Sequence, residues 1–150
     1  MAWLSRRETD IRLHQNISLL QALDLYFSLD ELKAICRHFK IKGYSNKKKK
    51  DIAILLKHAF IENPARFIDT FAPEEQFILA QFVLLNQNCF PVETPEELSM
   101  NAFVFQIDPL ETVVFLPPEL MLVVKSYFDS QHLNPLHFVP KSRRHEFENI

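Results

Sequence analysis

Glycine is almost missing from this chain. Its 150 residues hold one, Gly43, where a globular chain averages about 7%. No G-x-G-x-x-G or Walker-type phosphate loop can be written with a single glycine. A fold dense in tight β-turns is disfavoured for the same reason. A nucleophile elbow, which needs glycines around its serine, is also excluded. Cysteine is nearly as scarce. Cys36 and Cys89 are the only two, too few for a disulfide framework or a cysteine-rich zinc site. They read as buried free thiols in a reducing compartment. No apolar run reaches the roughly 18 residues of a membrane span. The opening MAWLSRRETD has charges with no apolar stretch behind them, unlike a secretory signal. The expected address is cytoplasmic.

Phenylalanine, by contrast, is abundant. Fourteen Phe in a chain that is 47% apolar and 24% charged supply the mass of a core. The length fits one average domain or two very small ones. The net charge of −2 conceals a division. Residues 28–60 carry nine basic groups (Lys33, Arg37, Lys40, Lys42, Lys47, Lys48, Lys49, Lys50 and Lys57) against three acidic ones, net +6. Residues 61–130 carry two basic and eleven acidic groups, net −9. Such fields govern association rather than fold. The basic block suits a polyanion; the acidic block would be repelled by that polyanion, or could cover the basic block.

The apolar spacing predicts a helix over 16–27, preceded by a loose first dozen residues, with Trp3 expected to pack the first helix against the body. Ser28-Leu29-Asp30-Glu31 is a capping box opening a second helix. It puts Leu29, Leu32, Ile35, Cys36 and Phe39 on one face and Lys33, Arg37 and Lys40 on the other. Ile41-Lys42-Gly43-Tyr44 reads as an extended link, with Gly43 at a positive φ where the chain leaves one helix and reorients. Ser45 is expected to cap a third helix over 46–60. Ile52, Leu55, Leu56, Ala59 and Phe60 form its apolar side, and Ile54 lies among its charges. The four lysines Lys47 to Lys50 would then fall in its first turn, where the helix dipole prefers acids. An anion docked at that end would reverse the sign of the cost. The plain alternative is a tolerated, solvated surface run.

Further helix starts follow at Asn63-Pro64, at Ala72-Pro73-Glu74-Glu75 and, for a short helix over 95–99, at Thr94-Pro95-Glu96-Glu97. Ala102 to Ile107 and Thr112 to Leu116 read as a β-hairpin turning at Asp108-Pro109-Leu110-Glu111. Pro117-Pro118-Glu119 opens a last helix to Phe128, and the tail from Asp129 is expected to be irregular. The predicted class is mainly α (α+β): a helical region 1–62, an α+β unit 63–128 and a tail 129–150.

Ser28 to Ala59 resembles the helix-extension-helix module, with SAP-like domains and the N-terminal domain of the terminator Rho as the nearest variants. Leu29, Glu31, Leu32, Ile35 and Cys36 match its first helix. Ile41 to Ser45 match its extension, and Lys48, Lys50, Asp51 and Ile52 match the start of its second helix. The resemblance implies a small nucleic-acid-binding module. Its contacts would come from Lys42, Gly43, Tyr44, Ser45 and the lysines that follow. The unbroken four-lysine run departs from the pattern, and Tyr44 is the main aromatic available for stacking. Residues 64–128 resemble, more loosely, a winged-helix derivative; a plain α+β packing unit is the other reading. The recognition segment would carry Glu96 and Glu97, and the wing Asp108 and Glu111. A duplex bears one negative charge about every 1.7 Å, so these acids point to a protein partner or a scaffold role.

No catalytic constellation emerges. Cys36-Arg37-His38 lacks a second half with ligand spacing, His132 and His137 lack carboxylate partners, and Glu74-Glu75 and Glu96-Glu97 are explained by helix starts. The expectation is a non-enzymatic accessory protein without cofactor or metal. It would contact DNA or RNA phosphates through Arg37, Lys40, Lys42, Gly43, Tyr44, Ser45, Lys47, Lys48, Lys49, Lys50 and Lys57. The alternatives are an interaction adaptor working through the acidic unit, and the N-terminal regulatory part of a larger nucleic-acid-processing enzyme.

Overall fold

Most helices begin where the sequence supplies an acceptor or a proline. The computed structural model describes residues 16–92, 103–108 and 113–148. The readings made for the first dozen residues, Trp3, the segment 94–99 and the turn residues 109–111 lie outside these. Helix α1 (Leu19–Tyr26) is capped by Ser18, whose side chain accepts from the Gln21 N–H while Gln21 reaches back. Helix α2 (Leu29–His38) carries the expected reciprocal box between Ser28 and Glu31. Its buried face is Leu32, Ile35 and Cys36, followed by Phe39; Leu29 stays exposed, because it lies in the first turn beyond the core.

The end of α2 departs from expectation. The left-handed residue that closes it is Lys40, at φ 56°, three residues before the glycine. The Ile41 N–H donates to the Cys36 carbonyl at 2.8 Å and the Lys40 N–H to the Arg37 carbonyl at 3.2 Å. That pair is a Schellman closure, with buried Ile41 and Cys36 as its apolar contact. Gly43 does hold a positive φ of 91°, but it shapes the link rather than the helix end.

The third helix also starts later than its serine suggests. Ser45 does not cap it. Ser45 sits inside a turn closed by the Lys47 N–H on the Tyr44 carbonyl at 3.1 Å. The N-cap is Lys48, without a side-chain hydrogen bond, and α3 runs Lys49–Glu62. Only Lys49 and Lys50 therefore lie in the first turn, beside Asp51. Its core face is Ile52, Ala53, Leu56 and Phe60, with Leu55 and Ala59 half-buried.

Helix α4 (Ala65–Ile68) turns Phe67 and Ile68 inward, and Phe71 follows them into the core. Helix α5 (Pro73–Leu85) opens with proline, and the buried Glu75 carboxylate accepts from the Ala72 N–H at 2.9 Å. Strand β1 (Cys89–Pro91) comes next, a strand the sequence does not announce. Strands β2 (Phe105–Asp108) and β3 (Val113–Phe115) form the expected hairpin, with a register shift between Gln106 and Asp108. The sheet order is β1-β3-β2, both pairings antiparallel, so β3 is central and all three of its residues are buried. Helix α6 (Pro118–Ser130) follows.

The tail is ordered rather than irregular. Two 3-10 turns, Pro135–Phe138 and Lys141–Glu146, bring Val139 and Phe147 into buried positions. Apolar side chains, not regular hydrogen bonding, dock this segment. The whole is an α+β fold, mainly helical, with a small antiparallel sheet.

One apolar cluster runs from Leu19 to Phe128 and includes both the basic and the acidic stretches of sequence. Phenylalanines join its parts. Phe67 lies 4.6 Å, centroid to centroid, from both Phe39 and Phe60, and Phe60 lies 5.3 Å from Phe103. Such pairs add about 0.5–1.5 kcal/mol each beyond the area they bury.

Candidate nucleic-acid interface

The Schellman closure at Lys40 decides where the cations go. It turns the chain off α2 through the left-handed Lys40, anchored by buried Ile41. Lys42 and Gly43 are thereby left outside, and Tyr44 returns half-buried against the core. Arg37, Lys40, Ile41, Lys42, Gly43, Tyr44 and Ser45 then line one open depression of about 480 Å³. An added Cβ at Gly43 would meet nothing within 4 Å, so the glycine serves its φ rather than a close approach. Lys47, Lys48 and Lys50 are exposed on the link and the first turn of α3, next in sequence. With no side-chain cap on Lys48, the first amides of α3 have no side-chain acceptor.

The structure divides the proposed basic residues into two groups. Arg37, Lys40, Lys42, Lys47, Lys48 and Lys50 are exposed, and Lys33 is half-buried on α2. Lys49 and Lys57 are committed inside the protein. Lys49 Nζ donates to the Asp24 carbonyl at 2.7 Å and lies 3.4 Å from its carboxylate. Its charge also helps hold the Glu31 carboxyl below its ordinary range, after the larger effect of the Ser28 backbone and side-chain donors. Lys49 thus ties α1 to the start of α3. Lys57 Nζ lies 3.9 Å from Glu119 Oε2 at the start of α6. The same carboxylate accepts from the Leu19 N–H at 3.1 and 3.2 Å. The basic and acidic stretches therefore meet at Lys57 and Glu119.

Sequence reasoning did not foresee the roles of Asp24, Ile41 or Glu119. Ile41 carried the one usable signal, an apolar residue just past a helix end. Asp24 and Glu119 look like ordinary surface and first-turn acids along the chain. A second cleft of about 330 Å³ between α1 and α3 is lined by Leu20, Gln21, Asp24, Lys49, Lys50 and Ala53. Ile54 is half-buried beside Lys57.

Other chemistry is sparse. Burial pushes the Cys36 thiol up from its ordinary value, which disfavours the reactive thiolate. His132 and His137 are both exposed. Among the described residues no three His, Cys, Asp or Glu side chains are grouped so as to hold a metal ion, and no helix is long and apolar enough to cross a membrane. Compared with protein-family models, curated proteins and solved structures, the chain matches none of them.

Proposed function

We propose that this protein is a non-catalytic nucleic-acid-binding accessory protein, and that α2, the link 39–48 and the start of α3 form its phosphate-contacting surface. The supporting observation is the division among the cations. Arg37, Lys40 and Lys42 share one depression with the Tyr44 ring; Lys47, Lys48 and Lys50 follow in sequence and are exposed, Lys50 at the cleft between α1 and α3. None of these six forms an ion pair with a described residue, whereas Lys49 and Lys57 have acidic partners. Unpaired, clustered cations keep the protein soluble but add little stability; phosphates give them partners. Contacts of this kind position a backbone without reading sequence, so specificity is low. Tyr44, half-buried, offers a ring edge or face to one base.

The test is fluorescence anisotropy of labelled single- and double-stranded DNA and RNA with the intact chain from 25 to 300 mM salt. If about five phosphates are neutralised, log K falls with log salt at a slope near −4.5 on duplex DNA. Changing Lys47 and Lys50 together to Glu should abolish binding while the far-UV circular dichroism stays unchanged. Binding that survives in the folded double variant would refute the assignment.

A further inference from the structure

The far end of α3 differs from its lysine end. Four large apolar side chains are exposed among the described residues, and two of them lie together there: Ile61, 44% exposed, and Leu122, 70% exposed. They line an open groove of about 440 Å³ between the end of α3, the turn into α4 and the outer face of α6. Pro64, Ala65, Val123 and Tyr127 complete its apolar surface, and Ser126, Ser130 and Gln131 its polar side. Single exposed apolar residues are ordinary; here two of them share one groove.

The charged ends that border the groove are mainly acidic. Glu62 follows Ile61 directly, and Asp129 shares the α6 face of Leu122 and Ser126 by its spacing. Both are exposed, and neither forms an ion pair among the described residues. Asp69 holds the Tyr127 hydroxyl at 2.9 Å and brings a third carboxylate to the same side. The nearby cations keep their charge, but their charged ends are held at acceptors outside the groove lining. The Arg66 guanidinium donates to the Phe39 carbonyl, Lys125 donates to Asn86 at 2.6 Å, and Lys57 pairs with Glu119. Exposed His58 lies one turn before Ile61 and Glu62.

We propose that this groove docks a basic amphipathic helix of a partner protein, with its apolar stripe on Ile61 and Leu122 and its Lys or Arg side chains on Glu62, Asp69 and Asp129. Charge complementarity selects that occupant. A nucleic acid is repelled by the acidic rim, and a second copy meeting face to face would set like charges against each other. Helix-in-groove recognition needs anchors at i, i+3 or i+4, and i+7 on the incoming helix, over an apolar floor bordered by opposite charge. The geometry adds a separation of tasks. Fourteen residues of α3 span about 20 Å, so the lysine end and the groove stand at opposite ends of one rigid helix.

The probe is a synthetic 14-residue peptide of Leu and Lys with leucines at helical spacing. It is titrated into the intact isotope-labelled protein and followed by amide chemical shifts. Shifts confined to Ile61, Ala65, Leu122, Val123, Ser126 and Gln131 are expected, with affinity falling at higher salt. A scrambled peptide of the same composition should bind at least tenfold more weakly, as should a Leu/Glu version of the amphipathic one. Leu122→Asp, at an exposed position, should fold normally and lose at least tenfold in affinity; Glu62→Lys with Asp129→Lys should do the same with the apolar surface intact. Equal binding of the scrambled peptide, shifts mapping elsewhere, or unchanged affinity in either variant would overturn the proposal. So would a Leu122-dependent dimer in sedimentation, which would make a second copy the occupant.

Discussion

Replacing Lys40 by glycine separates what this residue does for the fold from what it does for binding. Lys40 closes α2 at φ 56°, where a residue with a Cβ is about 1–2 kcal/mol worse off than in the right-handed region. Glycine removes that strain but makes the unfolded chain more flexible, which offsets about 0.5–1 kcal/mol. The Lys40 side chain is exposed, so no packing is lost. The net expectation for Lys40→Gly is a gain of about 0.5–1 kcal/mol, or roughly 1–4 °C in Tm for a chain of this size. Lys40→Ala keeps the φ and removes the charge, so its stability should stay near that of the wild type. Both variants lose one cation from the depression, and the salt slope on duplex DNA should become less negative by about 0.9. Urea unfolding and anisotropy on the same three proteins give both numbers. A glycine variant no more stable than the alanine variant would refute the strain argument. An unchanged salt slope would remove Lys40 from the contact surface.

Other outcomes follow from the same contacts. Glu119→Ala removes the acceptor of the Leu19 N–H and the partner of Lys57, and should cost about 1–2 kcal/mol in urea unfolding. Because Lys57 is held by Glu119, Lys57→Ala should leave the salt slope of binding unchanged. Phe60→Ala empties a fully buried site between Phe67 and Phe103 and should cost about 3–5 kcal/mol. Burial first, and then the hydrogen bond to Asp69, push the Tyr127 hydroxyl up to about 12. In the unfolded chain tyrosine ionises near pH ~10. Below that value both states are protonated and the contribution is complete; it is lost as pH rises towards about 12. Ultraviolet titration should therefore show a late-ionising tyrosine that Tyr127→Phe removes.

Much of the helical plan was legible along the chain, because caps are interactions over three residues. Ser28 with Glu31, Ala72 with Glu75, and the prolines at 73 and 118 mark helix starts by groups that lie beside each other in sequence. The β2–β3 hairpin was legible from its β-branched and aromatic runs, and the buried face of α2 from its period. The division of charge between residues 28–60 and 61–130 was also plain in the sequence. Strand β1 was not. It has three residues, one of them proline, and exists because β3 arrives beside it from later in the chain. The start of α3 was misplaced because Ser45, a good cap by type, is used by the turn from Tyr44 to Lys47. The tail was misread because only the packed body shows where Val139 and Phe147 can be buried.

The candidate surface divides along the same line. Composition alone determined that residues 28–60 would be strongly basic and that this chain could hold no glycine-rich phosphate loop. Tertiary structure decided which lysines remain free. Lys49 meets Asp24 from 25 residues away, and Glu119 reaches the Leu19 amide from 100 residues away while pairing with Lys57. It also decided that Ile61 and Leu122 share a groove. Periodicity and capping are local and can be read in order; ion pairs, strand partners and exposed grooves depend on distances through space, which only the packed phenylalanine core establishes.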